Sequence, residues 1–130
     1  MSSDRQAITA EGAPAAVGPY SHAVRSGDLL FLSGQTPLDP ATGKLVEGSV
    51  GEQTRQCLTN LQAVCAAAGA SLEQAVRCGI YVTDMGTFGE VNEVYATFFA
   101  EPQPARSTIG VASLPLGAQV EIDAIVALTD

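Results

Sequence analysis

The stretch PARSTIGVASLPLGAQVEIDAIVAL, residues 104–128, carries the reading of the fold. It holds two strand-like runs, Arg106 to Val111 and Gln119 to Leu128, joined by a loop with Pro115 and Gly117. Arg106 opens the first run and Glu121 lies inside the second. Paired as antiparallel neighbours, these strands would set the two side chains near each other or beside a shared groove.

Working back from this stretch, Phe88, Val91, Val94, Tyr95, Phe98 and Phe99 recur at helical spacing. They predict a second long helix, opened by a Thr87/Glu90 capping box and ended by Pro102 and Pro104. The run RCGIYVT, residues 77–83, reads as a strand, and Ser71 with Gln74 opens a short helical turn before it. The first helix begins near Ser49, which has Glu52 at capping-box spacing. Its core stripe is Thr54, Cys57, Leu58, Leu61, Val64, Cys65 and Ala68, and Gly69 sits where a left-handed cap is expected. Further back lies a turn-rich loop, TPLDPATGK. Two strands, Tyr20 to Ser26 and Leu29 to Gly34, precede it around a turn at Gly27-Asp28. A loop rich in Gly, Ala and Pro spans Glu11 to Pro19, Arg5 to Thr9 reads as an edge strand, and residues 1–4 as a loose start.

The order strands, helix, strand, helix, strands predicts an α+β fold in a single domain over residues 1–130. A mixed β-sheet would carry two helices on one face. The other face then needs a cover, and a chain of 130 residues has no third layer to supply it. Association of subunits is the expected cover.

Only 15% of residues are charged, against about 25% in an average domain. The net charge is −8, with six Lys and Arg that form no cluster. Nucleic-acid binding depends on neutralising phosphates, so no nucleic-acid partner is expected. A small anion needs only one or two placed donors. Cys57, Cys65 and Cys78 are an odd set without zinc spacing, and Cys57 and Cys65 are two helical turns apart, too far for a disulfide. They read as buried thiols in a reducing compartment, so a cytoplasmic location is expected. Residues 1–18 have neither a basic n-region nor an apolar h-region, and no apolar run is long enough to span a membrane.

Phosphate loops, dinucleotide fingerprints, HExxH and paired CxxC motifs are all missing, and His22 is the one histidine. No metal site is expected, and a mechanism that needs two histidines is excluded. His22, in a predicted strand, reads as a structural residue. Arg106 offers a planar fork for a carboxylate, and Glu121 can take a proton from water as a general base. The same pair is also what a cross-strand ion pair at a sheet edge looks like.

Four stretches in register resemble the reactive-intermediate deaminase (RidA, or YjgF) family. They are Gly18-Pro19-Tyr20-Ser21 with Ala23, then Phe31-Leu32-Ser33-Gly34-Gln35, then Val91-Asn92-Glu93-Val94-Tyr95 ending in Phe98-Phe99. The fourth is Pro104-Ala105-Arg106-Ser107 with Val111-Ala112, Leu114-Pro115 and Val120-Glu121-Ile122. The resemblance runs from about residue 6 to residue 128. It implies a fold like that of the trimeric chorismate mutases and a homotrimer with clefts between subunits. It implies hydrolysis of 2-imino or enamino acids, released by pyridoxal-phosphate dehydratases, to 2-keto acids and ammonia, without a cofactor. Arg106 would clamp the substrate carboxylate and Glu121 would activate the water. Tyr20 would line the cleft, Ser33 and Gly34 would shape it, and the backbone at Ser107 would help hold the substrate. Many bacterial members have Cys where this chain has Ser107; a backbone role survives that change and a thiol-based one does not. Four other readings stay open at this stage. The chain could act on another imine in a catabolic pathway, sense small keto acids, cleave RNA, or act as a holdase.

Overall fold

The computed structural model describes residues 5–128, so the expected loose start at residues 1–4 lies outside the described residues. Six strands form one sheet: β1 (Gln6–Ile8), β2 (Ala23–Ser26), β3 (Leu29–Gln35), β4 (Ala75–Val82), β5 (Ala105–Gly110) and β6 (Val120–Ala127). The α-helices are α1 (Val50–Ala67) and α2 (Phe88–Ala96), with 3-10 turns at Leu72–Gln74, Met85–Thr87 and Pro115–Gly117. The strand order is β1-β2-β3-β6-β4-β5. Only β4 and β5 run parallel, linked by a crossover through α2, so the sheet is mixed and the fold is α+β as expected.

The expected pairing of the last two strands is overturned. The strands that hold Arg106 and Glu121 are not neighbours, because β4 lies between them. The parallel crossover through α2 lays β5 on the outer side of β4, and β6 fills the slot between β3 and β4.

Period-two alternation gives the sheet an apolar inner face. Leu30 and Leu32 of β3, Cys78, Ile80 and Val82 of β4, and Val120, Ile122, Ala124 and Val126 of β6 are buried there. They pack beneath the stripe Cys57, Leu58, Leu61, Val64 and Cys65 of α1, together with Val91 and Tyr95 of α2. The three thiols are free and buried. Among the described residues the outer face has no helix, and it presents Leu29, Phe31 and Ile109 as exposed apolar side chains.

The Ser49/Glu52 capping box forms, and Gly69 takes the left-handed conformation at φ 74° just past α1. The Thr87/Glu90 box does not form. The Thr87 hydroxyl turns back to the Asp84 carbonyl at 2.7 Å. Glu90 instead accepts the Gly51 N–H at 2.9 Å and so caps the neighbouring helix. α2 is also shorter than the stripe through Phe99 predicts. It ends at Ala96, where the Thr97 hydroxyl binds the Val94 carbonyl at 2.6 Å. Phe99 still reaches the core, with its ring centroid 4.7 Å from that of Tyr95. The segment Tyr20 to His22, expected in a strand, is loop leading into β2. Among the described residues no helix is long and apolar enough to cross a membrane.

Candidate active site

The register of β3 against β6 slips between Leu32 and Gln35, leaving Ser33 and Gly34 in a bulge. Bulges re-aim side chains, and this one makes room for Glu121. A Cβ added at Gly34 would collide with the Glu121 carboxylate, so glycine is what lets the acid lie against the strand. Ser33 is tied down on both sides: its hydroxyl donates to the Ser21 carbonyl at 2.6 Å, and its N–H donates to the His22 carbonyl at 3.0 Å.

Above this floor lies a cleft of about 670 Å³. Tyr20, Ser33, Gly34 and Glu121 all line it. The 13–20 loop supplies Pro14, Ala15 and Val17, and Leu38, Pro115 and Leu116 complete its apolar walls. Leu116 is held at φ 60°, a conformation uncommon for a non-glycine residue, and stays 71% exposed.

Glu121 is half-buried, and its pKa is raised above the ordinary carboxylate value, first by burial and then by the charge of Asp123. Asp123 lies two residues along β6, on the same outer face. It accepts a hydrogen bond of 2.8 Å from the Tyr81 hydroxyl, and this bond raises the pKa of the phenol. Beneath the cleft, the Cys57 thiol is pushed up by burial and then by Glu121.

Arg106 and Ser107 are placed elsewhere. Arg106 pairs in register with buried Cys78, so it points to the helix side of the sheet. Its guanidinium carbon lies 4.9 Å from the Tyr95 ring centroid and 5.5 Å from that of Phe88. There it lines a shallow hollow with Asn92, Gln103 and Pro104. Ser107 faces the other way, and its hydroxyl accepts a hydrogen bond of 3.2 Å from Arg77. One protomer therefore gathers four of the six expected site residues and leaves two on a separate edge. Arg106 and Glu121 do not form the cross-strand ion pair that the sequence also allowed. Among the described residues no three His, Cys, Asp or Glu side chains are grouped to hold a metal ion.

Two features of the site were not read from the sequence. Asp123 had a usable signal, since a residue two positions along a strand shares the face of Glu121. The bulge at Ser33-Gly34 had none, because it arises from pairing between distant strands.

A sequence model of the family described as Endoribonuclease L-PSP matches residues 10–128. The chain is 51% identical over 122 residues to the RutC family protein y4sK of Sinorhizobium fredii, covering 94% of this chain and 97% of that one. It is 46% identical over 121 residues to the mouse 2-iminobutanoate/2-iminopropanoate deaminase, covering 93% of this chain and 90% of the mouse protein. The crystal structure of RidA from the Antarctic bacterium Psychrobacter superposes with a TM-score of 0.91 at 44% identity, covering 95% of this chain and 99% of that one.

Proposed function

The chain belongs to the Endoribonuclease L-PSP family, the RidA/YjgF family, and from that premise we propose that it is a 2-iminobutanoate/2-iminopropanoate deaminase. It would hydrolyse the C=N bond of 2-imino acids, formed from their enamines, to give 2-keto acids and ammonia. The observation that carries this reading is Glu121, a half-buried carboxylate of raised pKa in a cleft with Tyr20, Ser33 and Gly34.

In this mechanism Glu121 takes one proton from a water as the oxygen bonds to the imine carbon. The C=N electron pair goes to nitrogen, which takes the proton from Glu121, giving a carbinolamine. Glu121 then accepts the hydroxyl proton as the C=O bond forms and passes it to the nitrogen, and the C–N bond breaks to release ammonia. A raised pKa suits a group that must accept and then return a proton near neutrality. The substrate carboxylate is clamped by Arg106 of the partner subunit, with the Ser107 backbone beside it, in a homotrimer that has its clefts between subunits. Two observations favour this arrangement: Arg106 is turned away from the cleft of its own chain, and apolar residues are exposed on the helix-free sheet face. Three buried free thiols fit a reducing, cytoplasmic setting.

The test is a coupled assay in which threonine dehydratase generates the enamine in situ and keto-acid release is followed. Wild type should accelerate release, and Arg106→Ala should remove nearly all of the gain. Glu121→Ala should lower it by roughly a hundredfold, as expected for loss of a general base. No acceleration by the folded wild type would overturn the reading. The family description favours ribonuclease action as a second reading. A net charge of −8 weighs against it, and RNA cleavage that weakens with salt would support it.

A further inference from the structure

His22 is 5% exposed, and the hydrolysis above does not use it. Its Nδ1 accepts the Ala10 N–H at 2.9 Å, and its Nε2 lies 2.8 Å from the Pro14 carbonyl oxygen. A backbone N–H can only donate and a carbonyl can only accept, so Nδ1 is bare and Nε2 carries the proton. The ring thus spans two points of the segment that leads into the cleft wall, where Pro14, Ala15, Val17 and Tyr20 stand. The backbone of the same residue meets the cleft floor, since the His22 carbonyl accepts the Ser33 N–H at 3.0 Å. One residue therefore ties the bulge that seats Glu121 to the loop that faces it.

We propose that His22 is a positioning residue of the cleft, setting the distance between its Ser33-Gly34 floor and its 14–20 wall. The inference rests on reading that cleft as the substrate site. Val17 is 88% exposed, and the Tyr20 N–H to Gly18 carbonyl bond of 2.8 Å is internal to the loop, so neither anchors the wall to the sheet. Without the imidazole, the Ala10 N–H and the Pro14 carbonyl lose their partner; the Ser33 hydroxyl still holds the wall at the Ser21 carbonyl, and the part before it can drift from the floor.

The experiment compares wild type with His22→Ala and His22→Gln. Glutamine is long enough to donate to Pro14 through its amide but has no ring. Amide exchange should accelerate across residues 10–20 in His22→Ala and stay unchanged in β4 and β6. The apparent KM should rise roughly tenfold while kcat stays within about threefold, because the wall binds substrate and Glu121 keeps its place. His22→Gln should recover most of both. Unchanged exchange across residues 10–20 in His22→Ala would overturn the proposal. So would a joint loss of KM and kcat, with faster exchange throughout the sheet and no recovery by Gln, since that describes a core histidine. If wild type hydrolyses no imine, the functional reading fails by itself, and the exchange measurement still decides whether His22 holds the wall.

Discussion

Arg106 and Glu121 face opposite sides of one sheet, with β4 between their strands. Arg106 stands opposite Cys78 and Glu121 opposite Tyr81, an odd offset of three residues along β4. No rotamer brings the two together through the sheet, so a site that uses both must draw them from different subunits. Complementation follows from that geometry. Arg106→Ala and Glu121→Ala, each strongly impaired alone, should regain activity when unfolded and refolded together. Random assembly of an equal mixture leaves roughly a quarter of the sites with both native residues. Recovery near that level supports shared sites, and none at all, with oligomers re-formed, would sink them.

Gly34 is partly buried beside Glu121 and leaves no room for a side chain. Any side chain there meets the Glu121 carboxylate, which must then move or displace the bulge. Gly34→Ala should lower deaminase activity by roughly a hundredfold, as misplacement of a catalytic group does. Circular dichroism should stay native, because the residue lies at the surface of the sheet and not in its core. A fully active Gly34→Ala would show that the position of Glu121 does not limit the reaction.

Local signals were legible in the sequence and long-range ones were not. The Ser49/Glu52 cap, the α1 stripe and the strand character of residues 120–127 depend on neighbours within a few positions, and all of them form. The Thr87/Glu90 cap failed because Glu90 found the end of α1, a partner 39 positions away. The assumed pairing of the last two strands failed for a related reason, since their order is set by where the α2 crossover lands. Resemblance named Tyr20, Ser33, Gly34 and Glu121, and the fold brings them to one cleft, but which side of the sheet Arg106 takes depends on register alone.

The stacking of Arg106 on Phe88 and Tyr95 gives a third prediction. Phe88 is the safer probe, being 36% exposed where Tyr95 is buried. A partly exposed cation–π contact contributes about 0.5–1 kcal/mol, so Phe88→Ala should raise the apparent KM by roughly two- to fivefold. The kcat should change less, because the carboxylate clamp is weakened and the base is untouched. An equal fall in kcat with KM unchanged would argue that Arg106 is not positioned by this ring.

The carboxylate of Glu121 should set the acid side of the pH dependence. It must be ionised to take a proton, and burial and then Asp123 raise its pKa. The acid limb of kcat/KM should therefore fall at a higher pH than for an ordinary carboxylate. Asp123→Asn removes the second cause, lowers the Glu121 pKa and should move that limb to lower pH. The same shift acts on stability in the opposite sense. A raised folded-state pKa favours the protonated acid, so the stabilisation is full below the unfolded pKa and is lost as pH rises through the folded one. Where it is ionised, Glu121 is thus a small burden on the fold, discounted because the group is partly exposed. Glu121→Gln should raise Tm at pH 7 by about 1–2 °C, and the gain should vanish in acid. An increase in Tm that persists unchanged in acid would show that charge is not its cause. A decrease at pH 7 would mean that the carboxylate stabilises the fold, contrary to its place in a catalytic cleft.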